Sequence, residues 1–476
     1  MVITAIAAAL MSIAYADEAR SETQINVTID ENAQIARCVQ ETRFLNATGQ
    51  TLDSVVFSLG ANALRRTSTL PFDAYELSNA YPGGFTPGGV EFYQIMVDGQ
   101  SAQWAVQGEG EYAIRVECDL APGESATFEF IFEVLIPRAH GMLGFGEIGY
   151  RLSFFYPNIP VYDLENEMFQ VMRPGSVSGM LFFEAQDYTV TVDAPETDVV
   201  AAGGEVKSRT TENGRTVTEF FLSGGRDIAL ALSRRVSAYE KDGVTLHTIH
   251  RSRATLILEA ANRAIGLFTK HLGPSHAHYT IAEVDGEVSY SPHSGVIFLP
   301  SELFTLNNTK ELERHVVFSI AKQFIGDRQL INIEREPWLS DAVSMYMAMM
   351  YYEETYGHAR YLSELNDVSL DALRITLPGN YTVNSARGEF DTMQAYNVVV
   401  IGRGTAALHE VASLIGQDAM WAVLGKFCGS VDDPVKTIAD FAQALNEASG
   451  RELDNYLMEM LYTIQDYIQQ DIERIE

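Results

Sequence analysis

One segment, Ala126-Thr127-Phe128-Glu129-Phe130-Ile131-Phe132-Glu133-Val134, alternates apolar and polar side chains almost without a break. A period of two puts the phenylalanines on one face and the carboxylates on the other, which suits a strand buried on one side only. Such a strand needs neighbours in a sheet and a second layer over its apolar face. The surrounding sequence, from about Gln24 to Val236, supplies them. Val90-Glu91-Phe92-Tyr93-Gln94-Ile95-Met96-Val97 is strand-like. The turn signals Val97-Asp98-Gly99-Gln100, Ala121-Pro122-Gly123-Glu124 and Glu212-Asn213-Gly214 punctuate the runs. This region is expected to be an all-β sandwich.

The periodicity then changes. From about Ser237 to Phe304 the pattern is mixed, with one helix expected over Ser252 to His271 followed by strands. After Thr309 it is mainly helical: Leu312, Val316, Ile320 and Phe324 recur every fourth residue, widened by Val317 and Ala321. Further helices are expected over Asp341 to Tyr356, over Val398 to Leu414 and, strongly acidic, from about Leu453. The fold class is therefore α+β, with an N-terminal β module over residues 24–236 and a second module over 237–476. No linker of low complexity separates them, so they are expected to pack directly together.

Composition excludes several functions. The chain has 476 residues and is 46% hydrophobic, so it can bury a large core without disulfides. Its 33 Lys and Arg face 64 Asp and Glu, a formal charge of −31. Phosphate backbones and anionic lipid surfaces would repel it, so no nucleic-acid partner is expected. Three cysteines make no disulfide scaffold or Cys-rich zinc module; Cys38 and Cys118, both in strand-like sequence, are the one candidate pair. Val2 to Ala14 is an apolar run, and Ala14-Tyr15-Ala16 before Asp17 is a small-x-small cleavage pattern, so residues 1–16 read as an export signal. No later apolar stretch is long enough to be expected as a transmembrane span. The expected location is secreted or in the cell envelope.

Two segments of the second module carry the functional argument. The first is His315-Val316-Val317-Phe318-Ser319-Ile320-Ala321-Lys322-Gln323-Phe324-Ile325-Gly326, and the second opens Glu336-Pro337-Trp338-Leu339-Ser340-Asp341-Ala342. Together they resemble the M1 family of zinc aminopeptidases, which are gluzincins. That family reads V-V-x-H-E-x-x-H-Q-x-F-G in one helix and W-L-N-E-G at the start of the next. Eighteen residues lie between its second His and its zinc-binding Glu, and eighteen lie between Lys322 and Asp341. Tyr150 to Asp163, with its Phe-Tyr-Pro and Val-Tyr-Asp elements, is similar to the family's N-terminal module. So is Asn46 to Asp53, while Tyr396 to Gly404 is similar to the helix carrying Y-x-K-G. The resemblance runs from about residue 25 to the end. It implies a β-sandwich packed on a thermolysin-like module, without the family's long C-terminal helical superstructure.

In the family the two His and the later Glu bind zinc, and the Glu of H-E-x-x-H is the general base. Carried over residue by residue, the first His becomes Phe318, which has no lone pair for a metal. The base becomes Ser319, a poor proton acceptor at neutral pH. The second His becomes Lys322, and the third ligand survives only as the shorter Asp341. The Glu of G-x-M-E-N falls near Pro292, within Ser289 to Gly295, and the Tyr of Y-x-K-G falls at Ile401. No catalytic residue, cofactor or bound metal is therefore expected. Phe318 and Lys322 share one helix face, which leads to the expectation of a Lys322–Asp341 salt bridge in place of zinc.

Other features carry less. His276-Ala277-His278 sets two imidazoles at strand spacing, with His293 further along, a weak alternative metal site. Val398 to Ala407 imitates a strand followed by G-x-G-x-x-A, but no βαβ unit follows. No G-x-S-x-G elbow is present. The expected function is that of an exported, inactive M1-like pseudoenzyme whose inter-module cleft binds peptides or an envelope or extracellular protein. The alternatives are an active zinc aminopeptidase with relocated ligands, and a structural surface protein with no cleft ligand.

Overall fold

In a computed structural model of the chain, the described residues are 20–70, 74–108, 110–173, 182–286, 293–305, 309–429 and 435–463. The signal-like segment 1–16, Pro292 and the end of the acidic tail lie outside them.

The β module is built on an eight-stranded sheet. Its strands stand in the spatial order Glu205–Glu212, Arg215–Gly225, Gln186–Pro195, Ser21–Asp30, Ile35–Leu45, Ser125–Leu135, Gly89–Val97 and Gln100–Ser101. All neighbours are antiparallel except Ser21–Asp30 with Gln186–Pro195, which run parallel. The alternating segment becomes the strand Ser125–Leu135. Phe128, Phe130 and Phe132 are almost fully buried, each worth about 1.5–3 kcal/mol by area. Phe57, on a three-stranded sheet, meets Phe128 and Phe130 edge-on at 5.2 and 5.0 Å. Two hairpins close with consecutive left-handed residues, Asp98-Gly99 and Asn213-Gly214, the type I′ geometry that matches strand twist.

A four-stranded sheet, Asp198–Ala202, Leu230–Arg234, Gly149–Leu152 and Leu143–Phe145, faces the second module. The four-stranded sheet of that module runs Ser237–Lys241, Val244–Thr248, Tyr279–Val284 and Val296–Pro300. Between the two sheets, Ala201, Ala229 and Ala231 lie in one buried cluster with Ala282, Val284, Val296 and Phe298, small side chains allowing a close approach. Arg151 is buried at this seam with its guanidinium 5.0 Å above the Phe298 ring, and burial lowers its pKa to about 10.

The helices Ala254–Leu272, Thr309–Phe324 and Pro337–Tyr356 form the heart of the second module. The fourth long helix, Met393–Ile415, starts five residues before the expected Val398. Thr392 caps it by accepting from Ala395 N, and Asn397–Arg403 is a π-helical stretch within it. By length and composition this helix could cross a membrane, yet 67% of its apolar window is buried inside the protein. The Gly402-Arg403-Gly404 segment has a packing reason. A Cβ at Gly402 would meet Ala372 Cβ at 2.4 Å, and one at Gly404 would meet Ala342 Cβ at 2.6 Å. Cys38, Cys118 and Cys428 are all free thiols, so the candidate pair is not a disulfide; Cys38 and Cys118 lie on different sheets.

Candidate functional site

The Thr309–Phe324 and Pro337–Tyr356 helices bring Lys322 against the residues that open the second helix. Lys322 Nζ donates to Ser340 Oγ at 2.7 Å and is hydrogen-bonded to Asp341 Oδ1. The Tyr396 hydroxyl donates to Asp341 Oδ2 at 2.6 Å. Lys322 is 2% exposed and Asp341 1%, so both charges have left water. Such a pair persists only where each charge is answered by close, well-placed partners, and here the partners are Ser340 and Tyr396. A turn at Gly326 lets the helices approach. Its φ is 106°, and a Cβ there would meet Ser340 Oγ at 2.8 Å. Phe318 is fully buried in the module's main core, Ile401 is 6% exposed in the same core, and Ser319 is half-buried.

The three candidate histidines do not share a site. His276 and His278 precede the strand Tyr279–Val284 in a loop, because Gly273 and Pro274 end the preceding helix, so strand spacing does not apply. His278 is exposed. His276 Nε2 meets Asp327 Oδ2 at 2.5 Å, and Asp327 Oδ1 accepts from Ser294 Oγ at 2.6 Å. His293 is fully buried between the modules, with Nδ1 at 2.5 Å from Asp227 Oδ2 and Nε2 at 2.9 Å from Ser153 Oγ. Next to Ser153, Phe154 holds a left-handed φ of 52°, uncommon for a bulky residue. Its ring packs 5.0 Å from that of His293. This Ser–His–Asp order matches the geometry of hydrolase triads. Ser153 and His293 are both 0% exposed, however, so the arrangement ties the modules together.

No family model matches the sequence, and no curated protein matches it. Solved structures do. The chain superposes on the M1 zinc metallopeptidase of Deinococcus radiodurans, in a mutant form, with a TM-score of 0.62 at 16% identity, covering 93% of this chain and 94% of that one. The same peptidase bound to a Tyr-Ser-Ala substrate gives 0.62 at 15% identity, with the same coverage. A two-domain M1 zinc metallopeptidase mutant bound to L-arginine gives 0.60 at 14% identity, covering 94% and 95%. The fold is the M1 metallopeptidase fold.

The M1 fold implies zinc, and the residues that the sequence spacing sets at the ligand positions do not fit it. Phe318 offers no donor atom. Lys322 presents an ammonium, which donates hydrogen bonds and repels a cation. Asp341 alone could coordinate, and both of its oxygens already accept hydrogen bonds. Among the described residues, no group of three or more His, Cys, Asp and Glu side chains is placed to hold a metal. Sequence reasoning joined Lys322 to Asp341 but missed Ser340 and Tyr396. Tyr396 stands just before the π-helical stretch Asn397–Arg403, whose phase spacing alone does not disclose.

Proposed function

We propose that this chain is a catalytically inactive M1-like pseudopeptidase, exported, that binds a peptide or an extracytoplasmic protein at its inter-module cleft or surface without hydrolysing it. The observation that carries this reading is Lys322 Nζ held by Ser340 and Asp341, at the residue that the sequence spacing matches to the family's second zinc ligand. A divalent cation there would have to displace an ammonium ion. Ser319, at the general-base position, cannot take a proton from water at neutral pH as a carboxylate does. The apolar run over Val2 to Ala14 and the cleavage pattern after it support export.

The test is metal content and turnover on one preparation. The purified protein is incubated with excess zinc, freed of unbound ion, and measured for metal and for hydrolysis of aminoacyl reporter substrates. The expected result is less than about a tenth of a zinc per chain and no turnover above the zinc-only blank. One tightly held zinc per chain with turnover overturns the proposal in favour of an active enzyme with relocated ligands.

A further inference from the structure

The three-stranded sheet of the β module runs Leu52–Ser58, Ala113–Leu120, Trp104–Gln107, which leaves Trp104–Gln107 on an edge with all four residues exposed. Among the described residues no strand covers that edge. Glu117 N donates to Gln103 O at 2.9 Å. Pairs alternate in an antiparallel ladder, so Ala105 and Gln107 turn their N–H and C=O toward Ala113–Leu120, while those of Trp104 and Val106 point outward. Such an edge invites another chain, and proteins guard it with charge, proline or a bulge. The edge strand Glu205–Glu212 of the larger sheet is guarded by Glu205, Lys207, Arg209 and Glu212. The stretch Gln100–Gly108 has no charged residue and no proline, and the register of its strand with Ala113–Leu120 is unbroken.

The side chains on this edge continue the core into water. Trp104 stands opposite Val116 and Val106 opposite Ile114, so the four share a face. Val116 and Ile114 are 0% exposed, whereas Trp104 and Val106 are each 44% exposed. Phe92 joins them to the interior, its ring 6.1 Å from Phe130 and 6.0 Å from Trp104. The apolar layer between the two sheets thus runs out to the edge and stops half-covered. The Trp104 end is also acidic. Around Cys118 the exposed carboxylates Asp53, Asp98 and Asp119 gather with Arg115. Arg115 is bridged to Asp53 at 3.2 Å and to Glu117 at 3.6 Å, so one cation faces four carboxylates.

We propose that this edge takes a strand from another protein: an extended segment whose alternate apolar side chains pack on Trp104, Val106 and Phe92, with Lys or Arg at the end beside Asp98 and Asp119. Backbone pairing to Trp104 and Val106 supplies the affinity, and the alternate side chains supply the selectivity. Tryptophan is among the residue types that dominate such contacts. The acidic end, in a chain of charge −31, selects a basic partner and sets two copies of the chain against each other. The edge belongs to the β module alone, so the inference goes beyond the pseudopeptidase reading and does not depend on it.

Calorimetric titration of the full chain tests it with three peptides. The first is acetyl-Lys-Lys-Val-Thr-Val-Thr-Val-Thr-amide, the second has Glu-Glu in place of Lys-Lys, and the third is the first N-methylated throughout its Val-Thr repeat. The basic peptide is expected to saturate one site and to move Trp104 emission to shorter wavelength as the ring leaves water; Trp338 and Trp421 are already buried. The acidic peptide is expected to bind at least about tenfold more weakly. The N-methylated peptide, which has lost its backbone donors, is expected to weaken by at least about tenfold as well. Val106→Pro removes an outward N–H, which an edge strand tolerates, and is expected to weaken the basic peptide about tenfold with the thermal midpoint unchanged. Trp104→Lys, at an exposed position, supplies an independent variant with the same expected weakening through repulsion of the basic peptide. No saturable binding of the basic peptide, equal affinity for either control peptide, or full affinity in both variants overturns the inference. So does a dimer of the free chain in sedimentation that Val106→Pro dissociates, because the edge would then belong to a second copy. The acetyl cap denies an aminopeptidase its free amine, so hydrolysis cannot imitate a loss of binding, and the pseudopeptidase proposal is judged separately on zinc content and turnover.

Discussion

The Tyr396 hydroxyl reaches Asp341 Oδ2 at 2.6 Å from 55 residues further along the chain, while Lys322 holds the other oxygen of the same carboxylate. One buried carboxylate therefore joins three helices. Removing either charge would strand the other in the core. Lys322→Ala and Asp341→Ala are each expected to cost about 3–5 kcal/mol, and the double variant less than their sum by more than about 1 kcal/mol. Urea unfolding of the four proteins measures the cycle. Additive losses would show that the two side chains do not stabilise each other.

Helical glycines separate propensity from packing. Gly266 lies in the Ala254–Leu272 helix with nothing within 4 Å of an added Cβ, so Gly266→Ala is expected to stabilise by about 0.5–1 kcal/mol. Gly404→Ala gains the same propensity but drives a methyl to 2.6 Å from Ala342 Cβ. Overpacking should win there, for a net loss of about 1–2 kcal/mol. Thermal unfolding of both variants reads the opposite signs directly.

How much of this was legible beforehand follows from what kind of information each feature needs. The strand Ser125–Leu135 and the helix Thr309–Phe324 announce themselves by local periodicity, and the Lys322–Asp341 pair follows from a fixed spacing between two helix faces. The parallel pairing of Ser21–Asp30 with Gln186–Pro195 had no local signal, since nothing in either strand names a partner so distant. The cluster of Ser153, Asp227 and His293 is of the same kind. Its members lie 140 and 66 residues apart and meet only once the modules have docked. The i, i+2 spacing of His276 and His278 suits a strand, whereas Gly273 and Pro274 just before them favour the loop in which they lie.

The thiols should be inert in the native state. Burial pushes Cys118 up to about 11, Cys428 up to about 12 and Cys38 higher still. At pH 8 each thiolate fraction is small, and thiolate is the reactive form. Ellman's reagent is expected to find three thiols in denaturant and to react slowly with the folded chain, Cys118 first. An intact mass under non-reducing conditions should show no loss of the two hydrogens that a Cys38–Cys118 bond would remove.

Acid should weaken the fold through His315. This side chain is 5% exposed, its Nδ1 donates to the Glu311 carbonyl at 2.8 Å, and burial lowers its pKa to about 4. Between pH 6.5 and 4 the unfolded chain binds a proton that the folded one refuses, so stability falls as pH falls through that window. At 1.36 kcal/mol per unit, the contribution reaches about 3 kcal/mol. His247, also lowered to about 4 by burial, acts with the same sign. The pH dependence of unfolding free energy should be flatter for His315→Gln than for the parent. Parallel curves would show that His315 titrates normally in the folded chain.

The π-helical stretch Asn397–Arg403 makes chain length itself part of the site. Each residue of a helix turns the next side chain by about 100°, so a helix shortened by one residue there would present a different flank to its neighbours. Every side chain named at the buried carboxylate could then be present, and the Asp341 oxygen that now meets Tyr396 would still go unanswered.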